Sequence, residues 1–283
     1  MTGRSRDVLR AGAGAALASL GGRAIGRALT SPDDPRWTRT NHRGAPISLL
    51  EGPATALGLV AGSLLAGSPR ARVAGAVAAA GGATFGLVDD LSEDASRHRK
   101  GLRGHLGALA HGELTTGGLK VLGIGATSLV AAAIATPPQS PGAQGARTAW
   151  WLDVAVSGAL IAASANLVNL LDLRPGRALK AGMVAAVPAL AGAGAGAAAA
   201  CLGSAAASLP ADLAERDMLG DGGANALGAL AGTAVVLSAP RPVRWAALAA
   251  AVALTVASER ISFTEVIART PALRRVDEWG RTA

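Results

Sequence analysis

Long apolar stretches recur along the whole chain, and short polar segments, mostly basic, separate them. A helix needs about 20 apolar residues to cross a hydrocarbon core of about 30 Å. The pattern predicts about nine such spans, at 8–29, 48–67, 71–90, 119–136, 149–171, 178–193, 195–211, 223–240 and 243–258. The 178–211 stretch is open to two readings. Two crossings there would be short, with Gly192-Ala193-Gly194-Ala195-Gly196 as the turn between them; one long tilted span is the alternative. Beyond Ser258, apolar residues (Ile261, Phe263, Val266, Ile267, Leu273, Val276, Trp279) alternate with charged ones. That alternation predicts an amphipathic helix lying on the membrane surface as an anchor. The expected architecture is all-α and polytopic: one transmembrane helical domain over 1–258 and an amphipathic tail over 259–283.

Composition supports this reading. Half of the 283 residues are hydrophobic and only 16% are charged, with a mean hydropathy of +0.36. A soluble domain carries about 25% charged residues. Disordered and collagen-like chains and ordinary cytosolic enzymes are excluded. The spans are rich in Ala and Gly, which suits close packing of helix on helix. The single Cys201 lies in an alanine run, so neither a disulfide framework nor a cysteine metal site is expected. The basic-then-apolar N-terminus has the outline of a signal peptide. Arg23 and Arg27 interrupt it and no small-x-small cleavage site follows, so it reads as a retained first span.

The formal charge is +8, with the basic residues clustered between apolar runs. Anionic lipid headgroups or phosphorylated substrates fit that distribution, and nucleic acid does not. With nine spans, eighteen of the 27 Lys and Arg residues flank one side of the membrane and eight the other. The positive-inside rule makes the first side cytoplasmic, in a multi-pass protein of the cell membrane.

Three acidic sites fall on that side: Asp89-Asp90 after the third span, Asp172 after the fifth and Asp221 before the eighth. Carboxylates at a membrane boundary are expensive to bury unpaired and are retained mainly for function. Converging carboxylates without a cysteine or a His-x-x-x-His pair suit a hard cation such as Mg²⁺. Basic loops beside them suit phosphates, and the combination is that of phosphoryl transfer. Asn166, Asn169 and Asp172 recur at i, i+3, i+6 and share a helix face. They are candidates for substrate contact, with helix-to-helix hydrogen bonding as the alternative.

In this order and on one face, the motifs resemble those of the polyprenyl-phosphate N-acetylhexosamine-1-phosphate transferases. This is the family of phospho-MurNAc-pentapeptide translocase and the GlcNAc-1-phosphate transferases. The family's Asp-Asp pair with its Lys-Gly-Leu loop is matched by Asp89-Asp90 and Lys100-Gly101-Leu102. Its Asn-Leu-x-Asp is matched by Asn169-Leu170-Leu171-Asp172, and its Met-Gly-Asp-x-Gly by Leu219-Gly220-Asp221-Gly222-Gly223. The segment Asn41-His42-Arg43-Gly44-Ala45-Pro46 resembles the family's basic-x-x-Pro loop, and the resemblance covers residues 36–235.

The resemblance implies a Mg²⁺-dependent enzyme with its active site on the cytoplasmic face. It would move a sugar phosphate from a UDP-N-acetylhexosamine to a polyprenyl phosphate, releasing UMP, in cell-envelope glycan synthesis. On that reading Asp221 and Asp172 hold the metal, Asp89 and Asp90 orient or deprotonate the lipid phosphate, and Asn166 and Asn169 contact substrate. Arg43, Lys100, Arg103 and His105 then face phosphates. The expected partners are the UDP-sugar, the polyprenyl phosphate lipid, the membrane and a second copy in a homodimer, with no nucleic acid. Direct attack and a route through an aspartyl-phosphate both stay open. The chain departs from the family pattern at Pro175, where a second carboxylate is missing, at Ala224, which replaces a serine, and in having no histidine-rich loop near its end. Two alternatives follow: a catalytically degenerate scaffold or transporter of the same fold, and an intramembrane prenyltransferase, for which Asp90-x-x-x-Asp94 supplies one of two expected motifs.

Overall fold

The computed structural model describes residues 3–31, 34–41, 43–92, 116–137 and 146–281, the side chains of 146–148 excepted. The described residues form eleven α-helices: α1 (Gly3–Leu29), α2 (Glu51–Leu65), α3 (Pro69–Ser92), α4 (Thr116–Ala135), α5 (Ala146–Leu171), α6 (Arg177–Ala186), α7 (Ala195–Leu213), α8 (Gly220–Ser238), α9 (Arg241–Ser258), α10 (Phe263–Arg269) and α11 (Pro271–Glu278). A short antiparallel ribbon, β1 (Thr38–Thr40) and β2 (Pro46–Ser48), precedes α2. The fold is mostly helical, and each of the nine expected spans falls on a helical segment.

Three described helices are long and apolar enough to cross a membrane: α3, α4, and α5 over 149–171. Helices α9 and α10 add a fourth when taken as one span bent by 99°. This is fewer than the nine expected, for identifiable reasons. With 15 residues, α2 is short, and α6 has only 10, against the roughly 17–25 a crossing needs. Helix α1 is 27 residues long but carries Arg4, Arg6, Asp7, Arg10, Arg23 and Arg27. Helix α8 is built largely of Gly and Ala, which are weakly apolar but suit a helix surrounded by other helices.

Helix α8 is the centre of the bundle. It packs against α2, α3, α4, α5, α6 and α7, and nearly all of it is buried, Asn225 and Thr233 included. Its neighbours come close because they offer glycine. A Cβ on Gly86 of α3 would run into the Asp221 carbonyl, and one on Gly52 of α2 would run into the Leu219 carbonyl. These two contacts fix how deeply the first turn of α8 sits between α2 and α3.

The 178–211 stretch holds two helices. Pro188 has no N–H with which to continue α6, so the chain tightens into a 3-10 turn over Val187–Ala191. It then extends at Gly192 and resumes as α7. Arg4 donates to the carbonyls of Leu190 and Gly192 there, at 3.2 and 2.7 Å. At the opposite end of the bundle, the last turns of α1, α3, α5 and α7 meet the first turns of α2, α4, α6 and α8. The β1–β2 ribbon lies against this end: the Met218 N–H donates to the Ser48 carbonyl at 2.8 Å, and Ser48 bridges to Asp217. The tail expected as one amphipathic helix is two, α10 and α11, broken at Thr270-Pro271.

Candidate functional site

The first turn of α8 begins with Gly220 at φ 59°, a left-handed conformation that glycine adopts without strain. The backbone N–H groups of Asp221 and Gly222 donate to the two carboxylate oxygens of Asp90, at 3.0 and 2.9 Å. A carboxylate from α3 therefore satisfies the exposed donors at the start of α8 and complements its dipole. From β1, Arg39 donates to the Asp90 main-chain carbonyl, which ties the ribbon to the same corner.

Asp89 precedes Asp90 by one residue and so points about 100° round the helix, toward α4. There its carboxylate lies 2.7 Å from the ammonium of Lys120, which also pairs with Asp221. Two carboxylates from different helices thus share one cation. Asp172, just past α5, lies beside the Gly220 N–H. Burial pushes its carboxyl well above the usual range, and repulsion from Asp212, Asp221 and Asp90 adds to that, while the nearby Gly220 N–H works the other way. Asp89, Asp90, Asp172 and Asp221 therefore stand together around the start of α8.

The other predicted site residues are placed differently. Arg43 sits at the ribbon turn, 3.2 Å from Glu215, whose carboxylate also accepts from Asn41 at 2.7 Å. The Asn166 amide donates to the Thr255 hydroxyl of α9 at 3.3 Å, a helix-to-helix contact. The Asn169 main-chain carbonyl accepts from the Asp172 N–H at 3.0 Å and so shapes the turn that presents Asp172. Lys100, Arg103 and His105 lie outside the described residues.

Several residues at this end were not singled out in the sequence as site candidates. Lys120 is one of three lysines among 27 basic residues, and that rarity, at the start of a span, was the available signal. Behind Asp172, the Asp212 carboxylate accepts from the Gly176 N–H at 2.9 Å. Fully buried Asp217 is held by Arg27 at 2.8 Å, with Arg23 at 3.7 Å. Glu51, in the first turn of α2, is fully buried beside the Asp212 carboxylate.

No group of three or more His, Cys, Asp and Glu side chains among the described residues is arranged to hold a metal ion. The donor chemistry at Asp89 and Asp221 nevertheless fits Mg²⁺, because the Lys120 ammonium already stands in as the cation between them. Mg²⁺ is usually held by one or two carboxylates, with substrate phosphates and water completing its shell. No protein-family model matches the chain, and no curated protein matches it in sequence.

Proposed function

We propose that the acidic end of this bundle transfers a sugar phosphate from a UDP-N-acetylhexosamine to a polyprenyl phosphate. A lipid phosphate oxygen attacks the β-phosphorus, the bond to the α-phosphate oxygen breaks, and UMP leaves. The observation that supports this most is Lys120 held between Asp89 and Asp221, two carboxylates from different helices sharing one cation. Bound there, Mg²⁺ would neutralise charge on the diphosphate, with Asp221 and Asp89 as the pair best placed to hold it and Asp172 beside them.

The chain's own residues have separable tasks. Lys120 gives up a carboxylate to meet a phosphate oxygen, a strong charge-assisted contact. Asp90 keeps the first turn of α8 fixed by occupying its N–H groups. Asp172, beside Asp221 and Asp90 at the start of α8, is placed to meet a nucleotide or sugar hydroxyl. The positive-inside asymmetry supports a cytoplasmic position for this end, and the apolar helices support a multi-pass chain in the cell membrane. Helices too short or too polar to cross alone complete the nine crossings by packing inside the bundle. Mg²⁺-dependent protection of the purified protein against thermal unfolding by UMP, lost in Asp221→Ala, is the expected result. Failure of UMP and UDP to protect at any Mg²⁺ concentration would favour a scaffold of the same fold.

A further inference from the structure

Helix α10 leaves α9 at a bend of 99°, and α11 follows it after the break at Thr270-Pro271. With α9 upright in the bilayer, α10 at that angle runs along the bilayer plane. The burial pattern of α11 is the reverse of a helix docked in water. Asp277 of α11 is only 9% exposed, whereas Leu273, Val276 and Trp279 are 48%, 57% and 68% exposed.

The buried aspartate is firmly held. The Arg177 guanidinium donates to both Asp277 oxygens, at 2.7 and 3.1 Å, and to the Thr264 hydroxyl of α10 at 3.0 Å. Lys180 donates to the carbonyls of Val276, Asp277 and Trp279, at 3.0, 2.8 and 2.7 Å, satisfying the open C-terminal end of α11. Arg281 closes the clasp with a 3.0 Å hydrogen bond to the Pro175 carbonyl.

At about 100° per residue, Leu273 and Val276 form an apolar arc on α11, with Trp279 just past its end. Arg274, Arg275 and Glu278 form a charged arc on the far side, and Asp277 falls between the two. The order repeats on α10: Phe263, Val266 and Ile267 are apolar, Thr264 takes the docking edge, and Glu265 and Arg269 are charged. A helix beside a bundle at a membrane interface has just these three neighbours: hydrocarbon below, protein to the side and water above. Val252, Leu254 and Val256 of α9 and Ile261 at the bend are exposed as well.

We propose that α10 and α11 are a membrane-docking surface, their apolar arc seated in the headgroup–acyl boundary of the leaflet at the acidic end. The partner is the phospholipid surface. Because the same helices are clasped to Arg177 and Lys180, the leaflet holds the α5–α6 turn, which carries Asp172 and whose Gly176 N–H holds Asp212. This does not depend on the transferase reading.

The test places bimane on single cysteines, Leu273→Cys, Val276→Cys, Arg274→Cys and Glu278→Cys, in a Cys201→Ser background. The full chain is reconstituted in phosphatidylcholine–phosphatidylglycerol vesicles containing phosphatidylcholine with a doxyl group high on the acyl chain. Quenching at 273 and 276 is expected to exceed that at 274 and 278 at least about threefold. Equal quenching on both arcs, or none on either, overturns the proposal and leaves the arc to a protein partner or a second copy. A readout without labels covers the case of a disturbed tail. The tryptophan emission lost in Trp279→Phe, taken as the wild-type minus variant difference, should itself be quenched by brominated phosphatidylcholine, and an unquenched difference would overturn the proposal equally.

Discussion

The ammonium of Lys120, at the start of the second turn of α4, pairs with the carboxylate of Asp221, in the first turn of α8. With Asp89 on its other side at 2.7 Å, Lys120 keeps two carboxylates from repelling each other at the end of the bundle. Removing one partner from a largely buried ion pair costs about 3–5 kcal/mol. Lys120→Ala is therefore expected to lower the unfolding temperature in detergent, and added Mg²⁺ to restore more of it than it adds to the wild type. A Mg²⁺ response no larger than that of the wild type would show that Asp89 and Asp221 do not take a divalent ion together.

The first turn of α8 sits where it does because α3 offers glycine to it. Gly86→Val would drive a side chain into the Asp221 backbone, whereas a side chain at Gly125 of α4 meets nothing within 4 Å. Gly86→Val should destabilise the protein by about 2 kcal/mol or more, in the range of overpacking, while Gly125→Ala should be neutral. Thermal unfolding of the two variants side by side checks this. Similar losses in both would mean that α3 and α8 are not in the close contact described.

Glu51 is fully buried against the Asp212 carboxylate, with Asp217 nearby and no cation paired with it in the described structure. An amide of the same shape removes a buried acid from among carboxylates and can still donate to Asp212, so Glu51→Gln should hold stability or raise it by about 1 kcal/mol. A clear loss in the variant would show that the carboxylate makes an essential contact, as it would with a bound cation.

The tail clasp carries a defined pH dependence. Burial works against the Asp277 charge, but hydrogen bonds and charges from Arg177 and Arg281 outweigh it and hold the carboxyl below its usual 3.8. A lowered pKa contributes stability that is fully present above pH 3.8 and is lost as pH falls through the lower folded value. Protease access to residues 263–281 should thus be constant from about pH 7 to about pH 5, and should rise across that whole range in Asp277→Asn. An opening of the wild-type tail near neutral pH would contradict the clasp.

The sequence pattern located the helices well, because long apolar runs have few other outcomes. It overstated how many could cross a membrane alone, since hydropathy does not distinguish an alanine–glycine helix facing lipid from one, like α8, facing other helices. The broken 178–211 stretch was one of two open readings, with the turn expected at Gly192–Gly196, and the split of the tail at Thr270-Pro271 was missed because its apolar residues alternate across the break. The three-residue strands were not legible, being too short for alternation to show. The carboxylates at 89, 90, 172 and 221 stood out because acids are scarce at span ends. Lys120 did not, because a basic residue at the start of a span looks like any orientation signal until its partners on α3 and α8 are brought beside it. Arg43 looked free in the sequence because Glu215 is distant along the chain.

The transfer reading is tested most directly by supplying purified protein with Mg²⁺, a radiolabelled polyprenyl phosphate and a panel of UDP-N-acetylhexosamines, and resolving the lipid products. Formation of a lipid-linked diphosphate sugar with stoichiometric UMP, abolished in Asp221→Ala and strongly reduced in Lys120→Ala, is the predicted result. No lipid product from any donor, or undiminished product from Asp221→Ala, would contradict it.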